Sequence, residues 1–295
     1  MYDVMILGGG PAGRTAALYC ARSALRCVVL EGTPGGQMAL TQHVDNYPGL
    51  PDADGFALAQ KMREQAQRAG AEFVAHTAES VSLAGNVKKA DGFSAKTAIL
   101  ATGASARRLG LANEAALLGR GVSYCAACDG AFFRGKRVGV VGGGNTAAGD
   151  ALLLSRICSE VHLIHRRDAL RASAAERQAL CGLDNLHIHW NCEVTELLAD
   201  EFLRGVVLLS LADGSSEELA LDGLFVAIGR VPETGLFSEV EQDARGYLKA
   251  DETTHTNLHG VFAAGDVRTK PLRQIVTAVA DGAVSALAAE KFLRH

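Results

Sequence analysis

Nothing in this sequence is suited to a polyanion. It has no long Lys/Arg-rich run and a net charge of −4, so neither nucleic acid nor an anionic membrane surface is expected as a partner. The longest apolar runs are broken by Gly, Arg or Glu and fall well short of a membrane span. The N-terminus enters "YDVMILGGG" at once, which is expected to leave no room for a signal peptide ahead of a strand. Cysteine is sparse and odd in number, seven residues in all. That speaks against a secreted disulfide scaffold and for a reducing cytoplasm, where a disulfide is expected to work rather than to brace. What is present is a chain 48% hydrophobic and 21% charged, able to bury a core. Its 295 residues are enough for roughly two domains.

One grammar occurs twice. "DVMILGGGPAG" is an apolar strand followed by Gly8-x-Gly10-x-x-Gly13, then a helix-like "TAALYCARSAL" and a second strand "RCVVLEG" ending at Glu31. "RVGVVGGGNTA" repeats it with Gly142-x-Gly144-x-x-Ala147, a helix-like segment and the strand "EVHLIHRR". The glycines permit a tight turn, backbone approach to a pyrophosphate and close helix packing, and the helix N-terminus faces the phosphate charge. A single copy is weak evidence; two copies with matching spacing predict two dinucleotide-binding βαβ units.

The second strands end differently. Glu31 is an acceptor suited to a ribose diol, as in FAD or NAD. His165, Arg166 and Arg167, with Arg171 a few residues on, place cations where that acid would stand, and arginine forks bind a 2′-phosphate. NADPH therefore fits the second unit better than NADH. "TAILATGA" (97–104), "GLFVAIGR" (223–230) and "GVFAAGD" (260–266) read as further strands ending in small residues. Asp266 beside Gly265 suits a hydroxyl chain such as a ribityl arm, or a helix N-cap; the order of motifs favours the ribityl reading. The simplest arrangement nests the second nucleotide domain, residues 113–243, inside the first, residues 1–112 and 244–295, with linkers near 110–121 and 231–246.

"CAACDG" (125–130) stands just before the second glycine turn. A structural zinc site needs four ligands. The nearest His/Cys cluster, "HIHWNC", reads as a partly exposed strand with nothing to place it near the pair, so no metal is expected. Cys20, Cys27, Cys158, Cys181 and Cys192 read as buried small hydrophobes or inert thiols. Hydride brings two electrons and a disulfide consumes two, with flavin as the link. Asp129 is either a turn residue or the carboxyl that moves the proton in thiol–disulfide exchange.

With "GGGPAG", "GGQ" (35–37), "VDNYPG" (44–49), "ATGA", "GRGVSYCAACDG", "GGGNTA", "HRRDALRA", "FVAIGR", "GVFAAGDV" and "RQIVTA", the chain resembles the low-molecular-weight bacterial thioredoxin reductases nearly end to end. The resemblance implies an α/β fold of two Rossmann-like domains, three-layer ββα in type, with the NADPH domain inserted into the FAD domain and carrying the CxxC. It also implies a cytoplasmic homodimer whose NADPH domain rotates between turns at the flavin, and a thioredoxin-like dithiol carrier as partner. Cys128 would be the flavin-proximal thiol, Cys125 the one that attacks the carrier, and Asp129 the proton donor and acceptor. FAD would be held by Gly8, Gly10, Pro11, Ala12, Gly13, Glu31, Gly36, Gln37, Asn46, Thr102, Gly103, Gly265, Asp266, Arg273 and Gln274. NADPH would be held by Gly142, Gly144, Asn145, Thr146, His165, Arg166, Arg167 and Arg171. The segment 77–97 is short for the family's β-meander, so one or two strands are expected to be trimmed. Reduction of another dithiol carrier, a ferredoxin-dependent or dithiol-oxidase role, and a flavin redox sensor without turnover are the alternative readings.

Overall fold

The computed structural model describes every residue except 42, 43, 45, 52 and 295; Asp45 of "VDNYPG" therefore lies outside the described residues. The chain divides into two compact units, Met1–Ser105 with Val231–His295 (unit 1) and Ala106–Arg230 (unit 2). These breaks differ from junctions at 112/113 and 243/244, and the reason is packing. Leu109 and Leu111 pack in an apolar cluster of unit 2 around Leu117 and Leu203. Phe237 and Val240 are buried in unit 1 with Met5, Leu30 and Leu248. The chain crosses between the units on two short strands that form a ribbon of their own, Ala104–Ala106 and Arg230–Pro232.

In unit 1 the chain runs β1 (Tyr2–Leu7), α1 (Pro11–Arg22), β2 (Cys27–Leu30), a 3-10 turn (Gly36–Leu40), α2 (Gly55–Arg68), β3 (Glu72–Val74), β4 (Val81–Ser82), β5 (Lys88–Ala90), β6 (Phe93–Leu100) and β7 (Ala104–Ala106). Unit 2 supplies β8 (Val122–Ser123), α3 (Ala126–Asp129), β9 (Arg137–Val141), α4 (Asn145–Ser155), β10 (Glu160–His165), α5 (Ala174–Leu180), β11 (Leu186–Trp190), β12 (Cys192–Ala199), β13 (Leu203–Ser210), β14 (Ser216–Ala220) and β15 (Gly223–Val226). Unit 1 closes with β16 (Arg230–Pro232), β17 (Val261–Ala263) and α6 (Ile275–Leu293).

Both units are three-layered Rossmann-like folds. In unit 1 the parallel strands lie in the order β3-β2-β1-β6, and β17 pairs with the end of β6. Alternation along β1 sends Val4 and Ile6 to α1 and α6, and Met5 and Leu7 to the opposite apolar layer, as period two requires. The meander over 77–97 keeps three antiparallel strands, β4, β5 and β6, with β4 reduced to two residues. In unit 2 the parallel order is β11-β10-β9-β15-β8, and β12-β13-β14 form a separate antiparallel sheet. Val138 and Leu163 face the α4 side; Val141 and Ile164 pack with Val194 and Val206 of the antiparallel sheet.

Register fixes where chemistry can occur. Leu7 is level with Leu30 and Leu100, and Leu100 with Ala263, so Gly8, Glu31, Ala101 and Ala264 emerge on one edge of unit 1. Val141 is level with Ile164 and Val226, and Phe225 with Ser123. Gly142, His165 and Tyr124 therefore leave one edge of unit 2. Parallel α/β sheets place ligands at this carboxyl edge.

Asp150 on α4 is half-buried, and burial pushes its carboxyl up to about 6, with Arg230 pulling the other way. The folded state then binds this proton more tightly than the unfolded chain, so the charged form costs stability above pH ~6 and the cost fades as pH falls toward ~4. Asp150→Asn is expected to stabilise the protein at alkaline pH by about 1–3 kcal/mol. Thermal unfolding on both sides of pH ~6 checks this: the gain should shrink in acid, and an equal gain at every pH would contradict it.

Candidate active site

β8 delivers the cysteine pair to the carboxyl edge of unit 2. Cys125 and Cys128 are disulfide-bonded, with Cα atoms 5.3 Å apart. Cys125 N-caps the short helix α3, and its carbonyl accepts from Cys128 N at 3.2 Å and Asp129 N at 3.0 Å. Ser123 organises this turn from the end of the strand. Its hydroxyl donates to Asp129 Oδ2 at 2.5 Å and accepts from Cys125 N at 3.1 Å. The carboxylate is thereby fixed in the turn that holds the two sulfurs.

In unit 1 the first glycine turn fits a dinucleotide diphosphate. No atom lies within 4 Å of where a Gly10 Cβ would stand, and Gly36 backs onto the Gly10 Cα at 3.2 Å from its own Cβ position. Bare backbone thus faces outward at the N-terminus of α1, an anion-favouring position. "GGQ" is brought against the turn by this contact. Gly265 lies against Ala12, its Cβ position 2.9 Å from the Ala12 Cβ, which brings Asp266 to the same helix end. Asn46 Nδ2 donates to Gln274 Oε1 at 3.0 Å, and Arg273 Nε to the Asp266 carbonyl at 3.2 Å. Thr102 and Gly103 leave β6 and bond to Glu233, through Thr102 Oγ1 to its carbonyl at 2.6 Å and Glu233 N to the Gly103 carbonyl at 3.0 Å.

Glu31 is buried and held from two sides. Arg14 Nη2 meets Oε2 at 2.9 Å and Arg63 Nη1 meets Oε1 at 2.8 Å. Arg14 is itself buried, and donates from Nε to the Gly9 carbonyl at 2.5 Å and from Nη1 to the Ala59 carbonyl. A ribose hydroxyl meeting Glu31 would meet a carboxylate already oriented. Gly265 N donates to Asp281 Oδ2, and Asp281 pairs with Arg268 and Lys270, each contact at 2.8 Å.

The second turn differs in charge. Gly144 is open in the manner of Gly10. The arginine loop is tied back to the turn: Arg171 N donates to the Gly143 carbonyl at 2.7 Å, and Ser173 N to Asn145 Oδ1 at 3.0 Å. Arg166, Arg167 and Arg171 are exposed, and among the described residues none forms an ion pair. Thr146 is exposed in the first turn of α4. His165 does not join them as a cation. Its ring is buried over Gly143, Nε2 bonds to the Ala169 carbonyl at 3.1 Å, and burial holds its pKa below the ordinary range. It shapes the site while the arginines supply the charge.

A family model for pyridine nucleotide-disulphide oxidoreductases matches residues 2–282. The chain belongs to this family. Thioredoxin reductase of Streptomyces coelicolor is 44% identical, with 99% of this chain and 94% of that protein covered. That of Peptoclostridium acidaminophilum is 42% identical, with 99% and 97% covered. The crystal structure of thioredoxin reductase from Streptococcus pyogenes superposes with a TM-score of 0.93 at 40% identity, covering 100% of this chain and 98% of that one.

Five further cysteines of this oxidoreductase are free. Cys20, Cys27 and Cys158 are buried as expected, but Cys181 is exposed and Cys192 half-buried, because they end α5 and open β12. "HIHW" forms β11, with His189 Nε2 3.0 Å from His162 Nδ1. Among the described residues no group of three or more His, Cys, Asp or Glu is suited to a metal ion, and no helix is long and apolar enough to cross a membrane. Sequence reading passed over Ser123, Arg14, Arg63 and Asp281. Only Arg14 carried a local signal, as a long charged side chain directly after Gly13 in an otherwise small-residue helix face.

If Ser123 positions Asp129, Ser123→Ala should slow carrier reduction about tenfold or more, since a hydrogen bond to a charged group contributes about 1.5–3 kcal/mol. Ser123→Thr should restore most of the rate, and flavin content should be unchanged in both. Stopped-flow kinetics of carrier reduction would decide; an Ala variant as fast as wild type would remove Ser123 from the mechanism.

Proposed function

We infer that this chain is an FAD-dependent thioredoxin-disulfide reductase that draws electrons from NADPH. The observation that carries the reading is the Cys125–Cys128 disulfide in a chain with two dinucleotide turns, one ending in a buried carboxylate and the other in unpaired arginines. FAD belongs to unit 1, on the Gly8–Gly13 turn with Glu31, Gly36, Gln37, Asn46, Thr102, Gly103, Gly265, Asp266, Arg273 and Gln274. NADPH belongs to unit 2, on Gly142, Gly144, Asn145 and Thr146, with its 2′-phosphate on Arg166, Arg167 and Arg171. Held there, FAD would supply the electron pair, drawn from NADPH, that opens the disulfide.

The chain's own residues then complete the reaction. The Cys125 thiolate attacks one sulfur of the carrier disulfide, forming a mixed disulfide and expelling a carrier thiolate. Asp129, held by Ser123, passes the proton that the leaving sulfur needs. The Cys128 thiolate attacks Cys125 Sγ, which re-forms the internal disulfide and releases the second carrier thiolate. Two electrons leave the cysteine pair and two enter the carrier. The pair and the second turn share unit 2 while the first turn is in unit 1, so the nicotinamide and the disulfide would be served by one flavin in succession. Reorientation of unit 2 on the β7 and β16 crossings would alternate them. A homodimer and a cytoplasmic setting belong to the same reading, supported by the relatedness to thioredoxin reductases.

Cys125→Ser and Cys128→Ser should each retain flavin reduction by NADPH and lose turnover with thioredoxin. Anaerobic stopped-flow spectra beside steady-state NADPH consumption separate the two half-reactions, and near-normal turnover by either variant would sink the relay. Replacing Arg166 and Arg167 together by Ala should weaken NADPH about a hundredfold or more, since each charge-assisted bond contributes about 1.5–3 kcal/mol, and leave NADH nearly untouched. Equal losses for both nucleotides, read as KM and as Kd, would show that the arginines serve another purpose.

A further inference from the structure

Trp190 is the chain's one tryptophan and is 39% exposed. It ends β11, and its partner across the parallel pair is His165 at the end of β10. Alternation puts Trp190 on the side of Ile188, and His165 on the side of Val161 and Leu163; Ile188, Val161 and Leu163 all pack with α4. Both rings therefore stand on the helix-bearing face of the sheet, at its carboxyl edge. The His165 ring covers Gly143, where a Cβ would meet it at 2.1 Å. Trp190 meets that imidazole edge-on, with centroids 6.3 Å apart at 73°. The next residue, Asn191, donates from its backbone N to the Arg167 carbonyl at 3.2 Å, so the arginine loop is tied to the tryptophan end of β11.

We propose that Trp190 is the wall on which the adenine of NADPH stacks while Arg166, Arg167 and Arg171 hold the 2′-phosphate. This rests on the NADPH reading of the second glycine turn. A dinucleotide crosses the carboxyl edge from the glycine turn after β9 to the end of β10, where the adenosine ribose is read. One strand further, about 4.8 Å away, lies β11 and its exposed indole. Every base has a flat face to offer such a ring, and base–aromatic stacking weakens binding by roughly tenfold or more when the ring is removed.

The test uses the holoenzyme and 2′,5′-ADP, which carries the adenine and 2′-phosphate without nicotinamide. Emission of the single tryptophan should be quenched saturably, with the Kd that calorimetry gives for the same ligand. Trp190→Ala should weaken 2′,5′-ADP roughly tenfold and Trp190→Phe much less. Ribose 2,5-bisphosphate, which has both phosphates and no base, should bind wild type and Trp190→Ala alike. Calorimetric binding of 2′,5′-ADP with unchanged emission, or undiminished affinity in a folded Trp190→Ala protein, overturns the stacking role and leaves the NADPH reading intact. No binding of 2′,5′-ADP to the wild type overturns both.

Discussion

Backbone lying directly on backbone is the contact on which unit 1 depends. A Cβ at Gly13 would stand 1.9 Å from the Gly8 carbonyl oxygen, and one at Gly282 would stand 2.2 Å from the Ala12 carbonyl oxygen. Any side chain at either place would push α1 off β1 or α6 off α1. Because both helices sit so close, their buried faces are small: Ala12, Ala16 and Cys20 on one, Ala278, Ala286 and Ala289 on the other. Small side chains bury little area each, at about 25 cal/mol per Å² of apolar surface. The bulkier Phe237, Val240, Leu83 and Leu248 are gathered on the opposite face of the sheet. The same closeness brings Gly265 to the N-terminal end of α1, and with it the carboxylate expected to meet a ribityl chain.

On that shared geometry the two units differ by charge. Glu31 is removed from water and would be costly there alone; two guanidiniums and the geometry of 2.8–2.9 Å contacts offset that cost. A buried ion pair of this kind is weak evidence for net stability. Its consequence is orientation: Arg14 fastens Glu31 to the Gly9 carbonyl, so the acceptor and the phosphate turn form one rigid piece. In unit 2 the corresponding position carries the neutral, buried His165, and the charge has moved outward to three arginines in solvent. Like charges left unpaired near one another raise the local potential, which makes the loop a receptor for an anion rather than an internal brace.

What was legible in the sequence is what local geometry dictates. Glycines between a strand and a helix, an acid or a basic cluster at the second strand's end, and a CxxC ahead of the second turn each announce themselves within a few residues. The Asn46–Gln274 bond spans 228 positions; both residues were named for the flavin only through the resemblance to known reductases, and the bond between them had no signal in the sequence. Ser123 was illegible for a different reason. A serine at the end of a two-residue strand has no periodic signature, and its use depends on α3 turning Asp129 back toward it. The compact units break at 105/106 and 230/231 rather than at the expected junctions, since Leu111, Phe237 and Val240 look like linker residues in sequence and only packing shows which core each joins. The 77–97 segment kept its strands despite its length because a two-residue strand still pairs at Val81–Ala90 and Ser82–Lys89.

A dithiol relay also has to be protected from the protein's other sulfurs. Thiol–disulfide exchange requires a thiolate and access. Burial pushes the thiols of Cys27 and Cys158 up to about 11 and that of Cys20 higher still. At neutral pH a thiol with such a value is ionised to about one part in ten thousand, and these three are packed among alanines and aliphatics besides. Burial, which the sequence uses to build the two cores, thus also removes three competitors from the exchange chemistry. Cys181 escapes this protection because it lies past the last turn of α5, in solvent, and Cys192 is only half covered with its thiol raised by burial. Selectivity among seven sulfurs therefore comes from depth for three of them. For the working pair it comes from proximity: once Cys125 is joined to an outside sulfur, Cys128 is held in the same turn and its attack on Cys125 Sγ, which expels that sulfur as a thiolate, is intramolecular.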